Sequence, residues 1–317
     1  MYNDIKLEKA LYNLSGKSFT AALEELDPSS AYAGTDLAGL DAFERQLRRF
    51  DIKVSGQGCD RVEKFFSSTG SAILFPEFVT RCIRRGFDET VLSSVCAVRT
   101  LSSESQYLGC TISDTDEYAP TYEGDLFPEA EIREGSAVVL RKFGRVISAS
   151  YEAVRRQRLD VFGVMLRSVG ARLADAVVKK AVTVLLANAE GITANELTYT
   201  ELAALYGEFE CFDMTSVIAS PSNASIIAAM EQLRDTRADS DGRMILPFGS
   251  ELIKTSAVPD DKIIGIDRDF ALEFITSTDL VMETDKLIDR QLDQITVSLT
   301  CGFRKITPDA VKVLTIE

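Results

Sequence analysis

The sequence has 317 residues, 45% of them hydrophobic and 26% charged, with a formal net charge of −14 and no histidine. That is the make-up of a globular protein of about two domains, and no apolar run approaches the roughly 18 residues of a membrane span. The missing histidine removes Ser-His-Asp, Cys-His and histidine–metal chemistry together, and the negative charge disfavours tight direct binding to phosphate.

Residues 1–66 read as a polar, helical region. In "TDLAGLDAFERQLRRF" Thr35 or Asp36 is the expected helix cap, and Leu37, Leu40, Phe43, Leu47 and Phe50 fall on one helical face. Arg45, Arg48 and Arg49 are expected on its solvated side. "SGQGCD" (55–60) breaks the pattern as a turn, and "FFSSTGSA" (65–72) reads as a flexible crossing. "ILFPEFVTRCIRRGF" and "TVLSSVCAVRTL" read as short apolar pieces, so that Arg81, Arg84 and Arg85 follow a strand-like segment. "QYLGCTIS" alternates Leu108, Cys110 and Ile112 with small polar residues and predicts a strand. "GSAVVLRKFGRVIS" (135–148) predicts its return. Between them lies a long acidic loop, about 116–133.

Residues 152–190 predict one long amphipathic helix. Leu159, Phe162, Leu166, Val169, Leu173, Val177, Ala181 and Leu185 recur at helical spacing. Arg155, Arg156 and Arg158 would open it. Gly163 and Gly170 inside it, each costing about 1 kcal/mol relative to Ala, point to close packing, and "NAEGIT" (188–193) stops it. Residues 195–278 read as an α/β unit: "MTSVIASP" a buried strand, "SNASIIAAMEQLRD" a helix opened by Pro221 or Ser222, then strand pieces in "SELIKTSAVP", "DKIIGID" and "FALEFITS". In "DQITVSLTCGF" Ile295, Val297, Leu299, Cys301 and Phe303 share one face of a half-buried strand.

Little of this carries chemistry. Cys59, Cys82, Cys96, Cys110, Cys211 and Cys301 include no CxxC pair, so they read as reduced, mostly buried small apolar residues and not as a zinc site. "SGQGCDRV" has Arg61 where a dinucleotide fingerprint needs glycine, and no P-loop exists. "DSDGR" (239–243) misplaces the glycine of a calcium loop and reads as a polar turn. Asp114, Asp116, Glu117, Glu123 and Asp125 read as a solvated acidic loop. The N-terminus lacks a basic stretch followed by an apolar one, so no signal peptide is expected and the chain should stay in the cytoplasm. Tyr118, Tyr122 and Phe127 stand out, because a long loop with aromatic residues in a chain with no evident site points to a partner. Arginines at a helix start are mildly opposed by the helix dipole, which favours an external acidic partner for Arg155, Arg156 and Arg158.

The ordered set "TGSAILFPEFVTRCIRRG", "EGDLFPEAEIREGSAVVLRKFGRVISASYEAVRRQ", "FDMTSVIASPSNASIIAAMEQLRDTRADSDGRMILPFGSELIKTSAVPDDKIIGIDRDFALEF" and "RQLDQITVSLTCGFRKITPDAVKVLTIE" resembles the major capsid protein family of tailed bacteriophages, with the Hong Kong 97-type fold. The resemblance covers about residues 66–317. It implies an α+β fold with a helical N-terminal extension (1–66), an arm into the peripheral domain (67–106) and an extended E-loop hairpin (107–148). It further implies a peripheral domain with a long spine helix (149–191 and 279–303) and an axial α/β domain (192–278 and 304–317).

The implied role is structural: a virion shell protein that self-assembles as hexamers and pentamers into an icosahedral head around double-stranded DNA. No catalytic residue, cofactor or metal is implied. Expected partners are further copies of the chain, a scaffold, a portal and a cement protein, with DNA touched only loosely and no membrane. Assembly would occur in the host cytoplasm. The expected inter-subunit residues are Tyr118, Tyr122, Glu123, Asp125, Phe127, Glu129, Arg133, Arg155, Arg156 and Arg158. Some family members weld subunits through an E-loop lysine, but no lysine lies between Lys64 and Lys142 here, so locking should be non-covalent. Residues 1–66 are either a segment removed on maturation or an ordered arm that stays, and a start at Met1 favours the arm. Two other readings stand beside this one: an encapsulin shell enclosing a cargo enzyme, and a carboxylate- or lysine-dependent cytoplasmic enzyme.

Overall fold

The structure is a computed structural model and describes residues 5–13, 17–90, 94–113, 130–233, 243–287 and 292–317. Most of its helices begin where a polar side chain satisfies one of the first free amides. Ser18 caps α1 (Phe19–Leu26), and Asp41 forms a reciprocal capping box with Glu44 at the start of α2 (Ala42–Arg49). Ser68 and Ser71 box the one-turn α3 (Thr69–Ala72), which leads into α4 (Leu74–Asp88). Strands β1 (Val98–Leu101), β2 (Gln106–Tyr107), β3 (Cys110–Ser113), β4 (Glu131–Glu134), β5 (Val138–Val139) and β6 (Arg141–Ser150) follow. Then come α5 (Tyr151–Arg156), capped by Ser150, and the 28-residue α6 (Leu159–Leu186). The remaining chain runs β7 (Glu190–Ala194), α7 (Tyr199–Gly207), β8 (Ser216–Ala219), α8 (Pro221–Ala229), β9 (Glu251–Lys254), β10 (Lys262–Ile266), β11 (Leu272–Thr276), β12 (Val281–Leu287), β13 (Leu292–Lys305) and β14 (Val311–Ile316).

Several expectations are corrected. The cap of α2 is Asp41, not Thr35 or Asp36, because Asp41 has the glutamate three residues on that completes a box. Residues 65–72 are largely helical, with Phe65 and Ser71 fully buried and 66–69 exposed. Residues 74–88 are a helix and not strand-like, so Arg81, Arg84 and Arg85 lie within α4. Pro76 does not break it, since the first turn needs no amide donors. The helix expected from 152 is broken at Gln157–Arg158. There the backbone is extended, Gln157 O accepts the Val62 amide (2.9 Å), Asp60 O accepts the Leu159 amide (2.9 Å), and Arg158 bridges to Arg61. Arg155, Arg156 and Arg158 therefore precede α6.

The chain divides into two compact units. The first comprises Met1–Glu89, Gly144–Leu173 and Met282–Val297. Its centre is a crossing of α4 and α6 at two glycines. A Cβ on Gly86 would lie 2.0 Å from Arg167 O, and one on Gly170 would lie 2.0 Å from Ile83 O. The two backbones touch, which only glycine permits at both points. Gly163, by contrast, has only an ordinary 3.5 Å contact to Cys82 Sγ.

The N-terminal helices join this core through buried polar networks. Arg45, expected on a solvated face, is 0% exposed. Its Nε donates to Asp27 Oδ2 (3.0 Å), Nη1 to Ser29 Oγ (2.9 Å) and Leu40 O (2.5 Å), and Nη2 to Asp27 O; its guanidinium lies 4.5 Å from the Tyr32 ring centroid. On α4, Glu77 accepts from Thr20 Oγ1 (2.6 Å) and from Arg81 Nε (2.9 Å), and Arg81 Nη1 reaches Asp41 (2.6 Å). Tyr12 donates to Ile73 O (2.7 Å), and burial pushes its phenol pKa upward.

The second unit comprises Thr90–Phe143, Ala174–Val281 and Ser298–Glu317. It holds a five-stranded sheet in the order β7-β14-β10-β8-β9, parallel at both edge pairs and antiparallel between. Leu202, Leu205, Met214, Val217, Ile227, Ile263 and Leu314 form its core with α7 and α8. Here too β1 runs parallel to β11, and β11 antiparallel to the second half of β13. The five alternating residues Ile295, Val297, Leu299, Cys301 and Phe303 of β13 are all buried, as expected.

Two outcomes test this packing. Gly170→Ala gains about 1 kcal/mol of helix propensity but drives a methyl into a carbonyl at a cost of about 3 kcal/mol, so the melting curve should register a net loss of about 2 kcal/mol. Arg45→Met strands the Asp27 carboxylate in the core, and denaturant unfolding should show a cost of about 3–5 kcal/mol.

Candidate assembly surface

Residues 106–113 and 131–139 build a two-stranded ribbon in two pieces. Near the sheet, β2 pairs antiparallel with β5 (Gln106↔Val139, Tyr107↔Val138). Farther out, β3 pairs with β4 (Cys110↔Glu134, Thr111↔Arg133, Ile112↔Ile132). Residues directly opposite in an antiparallel pair share a face, so Ile112 and Ile132 form one apolar pair. They are 67% and 70% exposed, and Leu108 and Val139 nearer the base are also exposed. The hairpin-like excursion expected from the alternation of Leu108, Cys110 and Ile112 is therefore present.

The ribbon is fixed at its root. Leu140 N donates to Ser105 O (3.0 Å), and Gly302 of β13 leaves room for Leu140 and Val138, which a Cβ there would meet at 2.8 and 2.9 Å. Glu273 of β11, 5% exposed, collects the polar contacts. Its Oε1 accepts from Thr100 Oγ1 (2.6 Å) and Tyr107 OH (2.9 Å), and its Oε2 from Arg304 Nε (3.0 Å) and Nη2 (2.8 Å). Arg304 Nη1 also donates to Cys110 O (2.5 Å). Burial alone would raise the Glu273 carboxyl, but the bonds from Thr100, Arg304 and Tyr107 outweigh it and hold it below its ordinary value. Burial, reinforced by this carboxylate, pushes the Tyr107 phenol up. Sequence reasoning passed over Glu273, Arg304 and Tyr107, which lie far apart in the chain and carry no local motif.

Of the expected contact residues, Tyr118, Tyr122, Glu123, Asp125, Phe127 and Glu129 lie outside the described residues. Arg133 is exposed on β4 and pairs with Glu131. Arg155, Arg156 and Arg158 lie together on and just after α5, all exposed. Each has a local partner: Arg155 lies 5.1 Å from the Phe66 ring centroid, Arg156 pairs with Glu152 (3.5 Å) and Arg158 with Asp160 (2.6 Å). Among the described residues no group of three or more Cys, Asp or Glu could hold a metal ion, and no helix is long and apolar enough to cross a membrane.

Comparison with known proteins agrees with this architecture. No curated protein matches the chain. Among solved structures, the virus-like particle from Pyrococcus furiosus is 12% identical with a TM-score of 0.51, covering 76% of this chain and 99% of its own. The capsid of the cyanophage P-SCSP1u is 13% identical with a TM-score of 0.51, covering 72% and 88%. The encapsulin complex of Synechococcus elongatus is 15% identical with a TM-score of 0.51, covering 69% and 84%. At such identities the likeness is one of fold, the Hong Kong 97-type α+β capsid fold. The family model described as phage capsid protein matches residues 133–299, more than half of the chain. The chain belongs to the phage capsid protein family.

Proposed function

We propose that copies of this chain tile an icosahedral head as hexamers and pentamers around double-stranded DNA, and that the ribbon is the arm by which each copy holds the next. The observation that carries this is the Ile112–Ile132 pair. A two-stranded ribbon is marginal in water by itself, and this one leaves an apolar cross-strand pair uncovered at its outer end. Burying both side chains against another copy is worth about 1.5–3 kcal/mol each. Repeated at every subunit of a closed shell, that term favours assembly strongly.

On this reading residues 107–148 are the E-loop. Residues 149–191 and 279–303 form the peripheral domain with α6 as spine, and 192–278 with 304–317 the axial domain. Tyr118, Tyr122, Glu123, Asp125, Phe127, Glu129 and Arg133 of one arm meet a neighbouring copy, and Arg155, Arg156 and Arg158 offer that neighbour's basic edge. The ion pairs that Arg156 and Arg158 make within the chain are exposed and worth about 0–1 kcal/mol, so exchanging them for an acidic arm costs little. The role is structural and needs no catalytic residue. With no lysine between Lys64 and Lys142, the arm locks without a covalent weld, and a cement protein is a fitting partner. A net charge of −14 lets the inner wall face packaged DNA without adhering to it. Assembly takes place in the host cytoplasm with scaffold and portal.

Replacing residues 114–129 with a two-residue turn tests the arm. Circular dichroism and melting of the subunit should be unchanged, while electron microscopy of the heaviest chromatographic fraction should lose the closed shells that the full chain forms. Closed shells from the shortened chain would remove the arm from the assembly mechanism. Nucleic acid, and not a protein cargo, should fill the shells formed during infection.

A further inference from the structure

The ribbon changes register at one place. Between β2 and β3 lie Leu108 and Gly109, and on the returning side Gly135, Ser136 and Ala137 separate β4 from β5. The two glycines face each other across this gap, and Gly135 N donates to Gly109 O at 2.7 Å. Glycine has the widest backbone freedom of any residue, so a pairing gap with glycine on both strands is a hinge. Arg304 sits on that hinge. A Cβ on Gly109 would lie 2.3 Å from Arg304 Cζ and 2.5 Å from Nη1, so the guanidinium rests directly on the ribbon backbone. Its Nη1 grips Cys110 O just beyond the hinge, while Glu273 holds its Nε and Nη2 and receives Tyr107 OH from just before it.

We infer that Arg304 and Glu273 form a lock across a glycine hinge, fixing the angle at which the arm leaves its subunit. One carboxylate and one guanidinium tie β2 and β3, on opposite sides of the hinge, to β11 and β13, with Thr100 of β1 completing the carboxylate's shell. These are positioning residues: they touch no neighbouring copy in this account but determine where Ile112 and Ile132 arrive. The groups facing the Glu273 carboxylate are Arg304, Tyr107 and Thr100; Arg99, also on β1, is engaged elsewhere, with Asp279 (3.6 Å) and over the Phe274 ring. Arg304 has both a hydrogen-bonded fork and a planar face on Gly109, which lysine lacks.

The inference rests on the arm reading above. The sign of its pH dependence follows from the depressed Glu273 carboxyl. The lock is intact above the ordinary carboxylate value, and its contribution is lost as pH falls through the lower, folded-state value.

The test uses full-length chains carrying Glu273→Gln, Arg304→Lys or Gly109→Ala, under conditions where the natural sequence forms shells. Gly109→Ala keeps both charges and displaces the guanidinium from the ribbon, so it separates geometry from charge. Melting of the unassembled subunits screens for folding. The expected result is folded subunits in all three cases, with the yield of uniform closed shells reduced at least about tenfold, as when one charge-assisted contact per subunit is lost, and replaced by open sheets or particles of mixed diameter. Closed shells of natural diameter and yield from folded Gly109→Ala and Arg304→Lys chains would overturn the lock. If those variants assemble normally while the chain shortened at 114–129 does not, the arm stands and only the lock fails. If the shortened chain also assembles normally, both are overturned.

Discussion

Two strands cannot cover their own side chains, and much of this molecule follows from that limit. Each face of the β3–β4 ribbon is one residue thick, so an apolar pair placed on it stays wet until something outside the subunit arrives. Ile112 and Ile132 face each other there, at 67% and 70% exposure. Such a pair in a monomer would be an aggregation hazard. On the proposed arm reading it is stored assembly energy, safe only if the ribbon is aimed. The aiming needs a rigid root, and a buried carboxylate paired with a largely covered guanidinium stands there. Glu273 and Arg304 are among the least exposed ionised side chains of the second unit, and they sit at the base of the arm.

Buried charge plays a different part in the first unit. Arg45 is surrounded by Asp27, Ser29, Leu40 O and the Tyr32 ring, and Arg81 by Glu77, Asp41 and the Phe43 ring. A buried ion pair is weak evidence for net stability, because desolvation consumes most of the attraction. It does punish every alternative arrangement that leaves one partner unpaired. Asp27 and Arg45 lie 18 residues apart, and Thr20 and Glu77 lie 57 apart. These bonds therefore specify which N-terminal segment packs on which helix.

The sequence disclosed what is local and periodic. The stripe from Leu159 to Leu185, the alternation from Ile295 to Phe303 and the outgoing strand at Cys110–Ser113 were legible because a period of 3.6 or 2 survives in the residues themselves, whereas its partner β4 (Glu131–Glu134) fell largely inside the span read as a loop. Tertiary competition was not legible. The break before α6 exists because backbone at Asp60 and Val62 takes hydrogen bonds that a continuous helix would have used internally. Arg45 looked solvated beside Arg48 and Arg49, since nothing near it names Asp27 as its partner. Helix α4 was obscured by reading its apolar residues as short strand-like pieces, although Leu74, Phe78 and Ile83 already marked a buried face. The lock at the arm's root draws on residues 100, 107, 273 and 304, a constellation that only folding assembles. The ribbon's outgoing strand was readable and its control was not.

Glycine shows how one residue type serves opposite ends here. At Gly86 and Gly170 the missing side chain brings two helix backbones into contact, and the surrounding side chains then fix the crossing. At Gly109 and Gly135 the same absence leaves the backbone free to turn, and an arginine must supply the fixation. The first is permanent, because releasing it would open the core. The second depends on four hydrogen bonds to one carboxylate and one to a carbonyl, and a proton on Glu273 or a push on Arg304 undoes it. Joints of two kinds therefore occur, one fixed by backbone contact and one held by exchangeable hydrogen bonds, and on the proposed arm reading the second is the one that a neighbouring copy loads.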